Sequence, residues 1–398
     1  MRKTVVNMLY LALMIFLGSS VYAQEIEFLK GFKIGGGITL VLQNLQNSNQ
    51  AIDKFGSPIE PNKTPTMGQY SMYLNVEKEF DDKNTAYINL ETGKGNINNY
   101  LKSVATINSS FNDTDRVTLS EAWLKHKFTN NFTMFVGVLS ASADLDKNAY
   151  ANSDSEQFIG GMFNNAVNID FARNNFGVKA FLEKDYIELD AQYIQKVNKT
   201  DINFPIDFTR SGFVSAQVSF KPSIIEGMIG NYRFYSWLDT SDHIKLTEAQ
   251  EEIIKGHEKD YGFGLSLDQQ LSDVFGVFGR YSWNRGDVGM INRKKLDKLV
   301  SKGAQHVWSI GLQAKVKGIG DKDVIGVAYG QIIPSNDYKK VNIDNEDPKS
   351  ENHLEIYYNW KVADYLSISL DFQMVENPYY KGQDNTAYVG TIRMNISF

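Results

Sequence analysis

Polar and apolar side chains alternate at a period of two through most of this chain. Tyr70, Met72, Leu74 and Val76 alternate with Ser71, Tyr73, Asn75 and Glu77. Ile187, Leu189, Ala191 and Tyr193 alternate with Glu188, Asp190 and Gln192, and Val214, Ala216, Val218 and Phe220 with Ser215, Gln217 and Ser219. The same holds for Trp308, Ile310, Leu312 and Ala314 and for Leu366, Ile368, Leu370 and Phe372. Period two places one set on each face of a strand, and each run has the length of a tilted strand crossing a bilayer. About 16 such segments can be read. They lie near 32–45, 67–80, 84–94, 117–128, 132–139, 176–182, 186–195, 212–221, 227–238, 261–271, 275–283, 306–316, 323–333, 352–361, 365–375 and 388–398. In 117–128 and 132–139 the two faces are mixed.

The connections alternate too. Asp81-Asp82-Lys83, Thr129-Asn130-Asn131, Glu183-Lys184-Asp185, Ser272-Asp273-Val274 and Val362-Ala363-Asp364 are short. The stretches 46–66, 95–116, 140–175, 196–211, 239–260, 284–305, 334–351 and 376–387 are long. Short turns at one end and long loops at the other are the layout of an outer-membrane barrel; a soluble sandwich has no reason to keep it. The predicted fold is therefore all-β: a transmembrane antiparallel β-barrel of about 16 strands. An even strand number returns both termini to the periplasmic side. Two long loops have helical texture, at Glu248–Lys255 behind a Thr247 cap and at Arg293–Lys302.

The two ends fit an exported barrel. Arg2 and Lys3 precede an apolar run from Val5 to Leu17, and Val21-Tyr22-Ala23 suits cleavage, so residues 1–23 read as a signal peptide and 24–398 as the barrel. The last segment sets Tyr388, Ile392, Met394, Ile396 and Phe398 on one face and Val389, Thr391, Arg393, Asn395 and Ser397 on the other. A terminal Phe on such a strand is similar to the signal read by the bacterial barrel-assembly machinery, which makes that machinery and outer-membrane lipid expected partners.

Composition narrows the function. Without the signal the chain carries 39 basic against 47 acidic side chains, a net charge of −8, which leaves no basic footprint for nucleic acid. The absence of cysteine excludes disulfides and thiolate metal sites. Five histidines, His126, His243, His257, His306 and His353, show no metal-ligand spacing, and nothing forces a nucleophile and base together. No enzyme, cofactor or metal is predicted. A glycine run, Gly35-Gly36-Gly37, precedes no phosphate-binding helix and reads as a bend in the first strand.

Function then belongs to the lumen. Alternation turns Glu77, Glu91, Lys179, Glu188, Asp190, Arg233, Asp268, Arg280, Glu355, Asp371 and Arg393 inward. The longest loop, 140–175, carries Asp144, Asp146, Asp154, Glu156 and Arg173 among Phe158, Phe163 and Phe171. Folded inward it narrows the channel, and acids with aromatics suit sugar hydroxyls and sugar faces. Arg233, Arg280 and Arg393 opposite Asp144, Asp146, Asp154 and Glu156 are the candidate eyelet, because a guanidinium fork fits vicinal hydroxyls. The alternative is that each arginine neutralises a wall carboxylate such as Asp268 or Asp371.

Several motifs resemble the carbohydrate-selective porins of the OprB type. They are Val117-Thr118-Leu119-Ser120-Glu121-Ala122-Trp123, Val136-Gly137-Val138-Leu139, Asp146-Lys147-Asn148-Ala149-Tyr150-Ala151-Asn152, Glu156-Gln157-Phe158 and Phe163-Asn164-Asn165. The similarity continues through the Tyr261–Leu271 segment, Phe278-Gly279-Arg280-Tyr281-Ser282-Trp283, Asp371-Phe372-Gln373 and Glu376-Asn377-Pro378. The resemblance implies a 16-stranded barrel with an inward constriction loop, passing mono- or oligosaccharides without cofactor or energy coupling, with Glu121 added to the pore lining. A general or inorganic-ion-preferring porin, and an adhesive barrel whose loops bind a partner, are the alternatives. A homo-oligomer is compatible with either porin reading.

Overall fold

The computed structural model describes residues 31–46, 65–95, 97–109, 114–172, 174–196, 211–222, 224–246, 258–291, 299–300, 303–320, 322–341, 348–381 and 386–398. The expected signal peptide, the Glu248–Lys255 helix and Arg173 lie outside them.

The described strands form one antiparallel sheet. The first half of the wall is β1 (Phe32–Gln46), β2 (Thr66–Glu79), β3 (Asn84–Lys94), β4 (Thr114–Lys127), β5 (Phe132–Leu139), β6 (Asn175–Lys184), β7 (Ile187–Gln195) and β8 (Gly212–Phe220). Next come β9 (Gly230–Lys245), β10 (Glu258–Gln270) and β11 (Phe275–Asn284). A short loop hairpin follows, β12 (Val288–Ile291) and β13 (Leu299–Val300). The wall resumes with β14 (Ala304–Val316), β15 (Asp323–Pro334), β16 (Glu351–Ala363), β17 (Leu366–Glu376) and β18 (Thr386–Ser397). Each wall strand pairs with the next, β11 passes directly to β14, and β18 returns to β1. Sixteen strands thus close the barrel. Closure satisfies every strand edge, as a hydrocarbon surround demands.

The faces divide as the alternation predicts. Leu42, Ile392 and Leu370 sit in register on three adjacent strands and are exposed outward. Their neighbours Gln43, Thr391 and Asp371, also in register, are buried inside. At the turn end, side chains cap the chain reversals. Asp81 Oδ1 accepts the N–H groups of Lys83 and Asn84 at 2.8 Å, and Ser272 Oγ accepts that of Phe275 at 3.0 Å.

The closing seam explains the glycine run. The Gly36 and Phe398 backbones exchange two hydrogen bonds of 3.0 Å. A Cβ on Gly36 would lie 2.7 Å from the Phe398 ring, and one on Gly37 2.7 Å from the Tyr73 ring. Close approach of two rings, rather than a bend, requires glycine there.

Three local expectations are corrected. The mixed face of 117–128 comes from a bulge: Asn89 pairs with Glu121 but Leu90 pairs with Leu119, so Ser120 is the extra residue. The alternation changes phase there, and Val117 and Leu124 both reach the outside. Leu299–Val300, read as part of a helix, instead pair with Met290 and Ile291 as strand. The strand expected at 227–238 begins at Gly230 and runs to Lys245, because Gly227 adopts φ 73° and Met228 closes a turn onto Ile225.

Candidate functional site

Two loops enter the barrel and pack against its inner wall. The third long loop, between β5 and β6, is held at several points by buried polar side chains of the far strands. Arg280 on β11 donates from Nη1 to the Phe163 carbonyl at 2.6 Å and from Nη2 to the carbonyls of Ala151 at 2.6 Å and Asp146 at 3.1 Å. Its Nε lies 3.3 Å from Asp146 Oδ2, the oxygen that accepts the Ala166 N–H at 2.7 Å. Burial pushes the Asp146 carboxyl above its ordinary pKa, with Arg280 and the Ala166 N–H opposing. Arg393 on β18 donates to the carbonyls of Asp154 and of Gln157, the latter at 2.6 Å, and pairs with Asp371 at 3.4 Å. Glu355 on β16 accepts the N–H groups of Ile159 at 2.6 Å and Gly160 at 2.9 Å. Between these tethers Phe158, Met162 and Phe163 pack on Phe278, Ala328 and Tyr357.

The second long loop follows the same principle. Glu351 accepts the N–H groups of Val104 and Ala105 at about 3.0 Å, and Gln373 donates to the Ile107 carbonyl at 3.0 Å. Gly161 donates to the Thr106 carbonyl at 2.7 Å, which joins the two loops. Sequence reasoning expected only the third loop inside. The signal for the second was present: Ile97, Leu101, Val104 and Ile107 are too apolar for a solvated loop, and all are buried.

The expected eyelet therefore divides. Arg280, Arg393 and Asp146 are buried between loop and wall rather than open to a permeant. Arg233 follows the alternative reading and pairs with Asp268 at 2.6 Å. Asp371 is buried beneath Arg393. Asp144 and Glu156 remain partly open, paired with Lys179 at 2.7 Å and Lys361 at 2.9 Å. Asp154 holds its loop position through its carbonyl and lies within electrostatic reach of Glu91.

The accessible lumen lies against β2 to β6. Its wall carries a row of inward aromatics. Tyr87 stacks on Trp123 with ring centres 4.8 Å apart, Trp123 meets Phe135 edge to face at 5.0 Å, and Phe135 meets Phe181 at 5.4 Å. Gly137, opposite Trp123, makes the row possible: it adopts φ 139°, and a Cβ there would lie 2.7 Å from the Trp123 Cα. The inward Phe135 on β5 also accounts for the mixed faces of 132–139. Beside the row stand Glu91 and Glu121; the Trp123 Nε1–H donates to Glu121 Oε2 at 3.1 Å. Tyr73 extends the aromatic wall on β2, within electrostatic reach of Glu156 on the loop.

The model of the carbohydrate-selective porin, OprB family, matches residues 80–398, which includes the aromatic row and both inward loops. The chain belongs to this family. It is a porin of the outer-membrane β-barrel class, and the family is one of channels rather than enzymes. The barrel is similar to a high-pH structure of OprB from Pseudomonas putida, with a TM-score of 0.76 and 13% identity over 94% of this chain and 96% of that one. It is also similar to the outer membrane channel DcaP of Acinetobacter baumannii, with a TM-score of 0.56 and 11% identity over 92% of this chain and 97% of that one. At these identities the likeness concerns the fold. Porin AaxA of Chlamydia trachomatis serovar D is 22% identical over 214 residues, which span 52% of this chain and 42% of that porin.

Proposed function

We propose that this porin passes small sugars by diffusion through a water-filled path between the β2–β6 wall and the inward third loop, which acts as the constriction. The observation that carries this reading is the aromatic row Tyr87, Trp123, Phe135 and Phe181 bordered by Glu91, Glu121 and Asp144, with Tyr73 and Glu156 continuing it toward the loop. A pyranose has an apolar C–H face and a rim of hydroxyls. Aromatic side chains take the first and carboxylates accept from the second. Arg280, Arg393, Glu355 and Glu351 serve as tethers that fix the aperture. Arg233 and Asp268 form a wall pair, with Asp268 also accepting the Ala149 N–H of the loop at 3.3 Å. Export by a cleaved signal, and insertion through the assembly machinery by way of Phe398, complete the proposal.

Planar-bilayer recording tests it. A sugar that reversibly blocks the current supports the reading. Ohmic current with no sugar effect favours the ion-preferring alternative, which the acids around the open lumen support. No current rejects both.

A further inference from the structure

We infer that the lipid face of the barrel holds a site for one phospholipid with a primary-amine headgroup, in a cleft over β3, β4 and β5 at the turn end. The inference is independent of what the lumen passes. Beyond the bulge at Ser120, Trp123 and Phe135 turn inward, so Leu124, His126, Met134 and Val136 turn to the membrane. They stand in register, Leu124 opposite Val136 and His126 opposite Met134. Phe80 and Phe128, where β2 and β4 enter their turns, complete the lining of a cleft of about 640 Å³. The His126 ring meets that of Phe128 edge to face at 4.4 Å. Short turns mark the periplasmic end of such a barrel, so the cleft opens on the periplasmic leaflet. An apolar recess facing hydrocarbon is filled by a lipid chain, because a void there would leave its lining without contacts.

A polar chain ends in this cleft and selects the headgroup. The Asp81 carboxylate can only accept, and its two oxygens take hydrogen bonds from Asn84 Nδ2 at 2.9 and 2.8 Å. That turns the Asn84 Oδ1 to His126, whose Nδ1–H donates to it at 2.7 Å. In the neutral ring Nε2 is then an acceptor, and among the described residues none donates to it. A polar atom facing hydrocarbon needs a partner, and here only the lipid can bring the donor. A primary ammonium carries three donors; a quaternary one carries none. The rim holds both signs, as a zwitterionic headgroup requires. Asp81 lies within electrostatic reach of His126, and Lys83 shares its turn. Lys78 faces outward in the row of Ala86, Leu124 and Val136, with its Nζ 4.4 Å from the centre of the Phe32 ring. These lysines suit the phosphate. Lys125 and Lys127 alternate to the lumen side, where Lys125 acts on Glu79.

The test is native mass spectrometry of the delipidated barrel in detergent, given equal amounts of phosphatidylethanolamine and phosphatidylcholine with identical chains at pH 8. One phosphatidylethanolamine should be retained about fivefold over phosphatidylcholine, the factor that a hydrogen bond of roughly 1 kcal/mol represents. His126→Phe keeps the ring and removes the acceptor, so the two lipids should then be retained about equally. Leu124→Trp fills the cleft and should abolish retention of both. Leu370→Trp, on the lipid face of β17, should leave retention and preference at the wild-type level. All three variants replace outward side chains with apolar ones and are compared as heat-modifiable barrels. Retention that survives Leu124→Trp, or is lost equally in Leu370→Trp, overturns the cleft as the site. Equal retention of the two lipids by the wild type, or an unchanged preference in His126→Phe, overturns the assignment of the amine to His126. None of these outcomes bears on the sugar reading of the lumen.

Discussion

Arg393 of the last strand donates to the backbone carbonyl of Gln157, 236 residues earlier in the chain, at 2.6 Å. Its side chain is wholly buried, so the contact couples barrel closure to the position of the inward loop. Fully buried guanidinium groups persist where several acceptors surround them. Here these are two loop carbonyls and Asp371.

The aperture should therefore depend on this tether. Arg393→Met removes three donor contacts and leaves the loop carbonyls of Asp154 and Gln157 without their partner. The barrel should still form, but its single-channel conductance should rise and become noisier. A conductance and noise level equal to wild type would show that the loop is placed without Arg393.

Adjacent residues on β2 provide a test of the two faces. Tyr73 and Leu74 are each 41% exposed, the first to the lumen and the second to lipid. Leu74→Arg should cost roughly 2–4 kcal/mol if it lies near the midplane. Tyr73→Arg should fold nearly as well as wild type and alter conductance instead. Denaturant titration of both in lipid vesicles checks this, and equal destabilisation rejects the register.

Trp123 sits at the centre of the aromatic row, touching Tyr87 and Phe135. Trp123→Ala should weaken sugar block of the current about tenfold, on the scale of roughly 1.4 kcal/mol per decade, through lost stacking. Trp123→Phe should recover part of it. The concentration dependence of block in the three proteins measures the effect, and indifference to Trp123→Ala moves the sugar path elsewhere.

Phe398 closes the ring against Gly36 and leaves its side chain 55% exposed. Phe398→Ser preserves the backbone pairing but removes the aromatic end. Expected is a smaller fraction of heat-modifiable barrel in outer-membrane preparations, with unfolded chain accumulating in the periplasm. The wild-type fraction would mean that insertion does not read this side chain.

Local chemistry was enough to determine the wall. Strand period is two for any sequence, and a wall between lipid and water makes that period visible in residues such as Leu370 and Asp371. Turn residues such as Asp81 and Ser272 act within three positions of themselves, so the strand ends at those turns were legible too. The inward direction of Arg280, Arg393 and Glu91 followed from the same alternation. What those side chains meet inside did not. Arg280 finds the carbonyls of residues 117 to 134 positions away, and no periodicity records which loop carbonyl will arrive at which inward guanidinium. The bulge at Ser120 likewise depends on how β3 and β4 register, a property of two strands rather than one. The tertiary structure alone decided that the arginines are buried tethers and that the open side of the lumen is aromatic and acidic, because packing two loops against one wall removes that wall from the channel and leaves the opposite wall to line it.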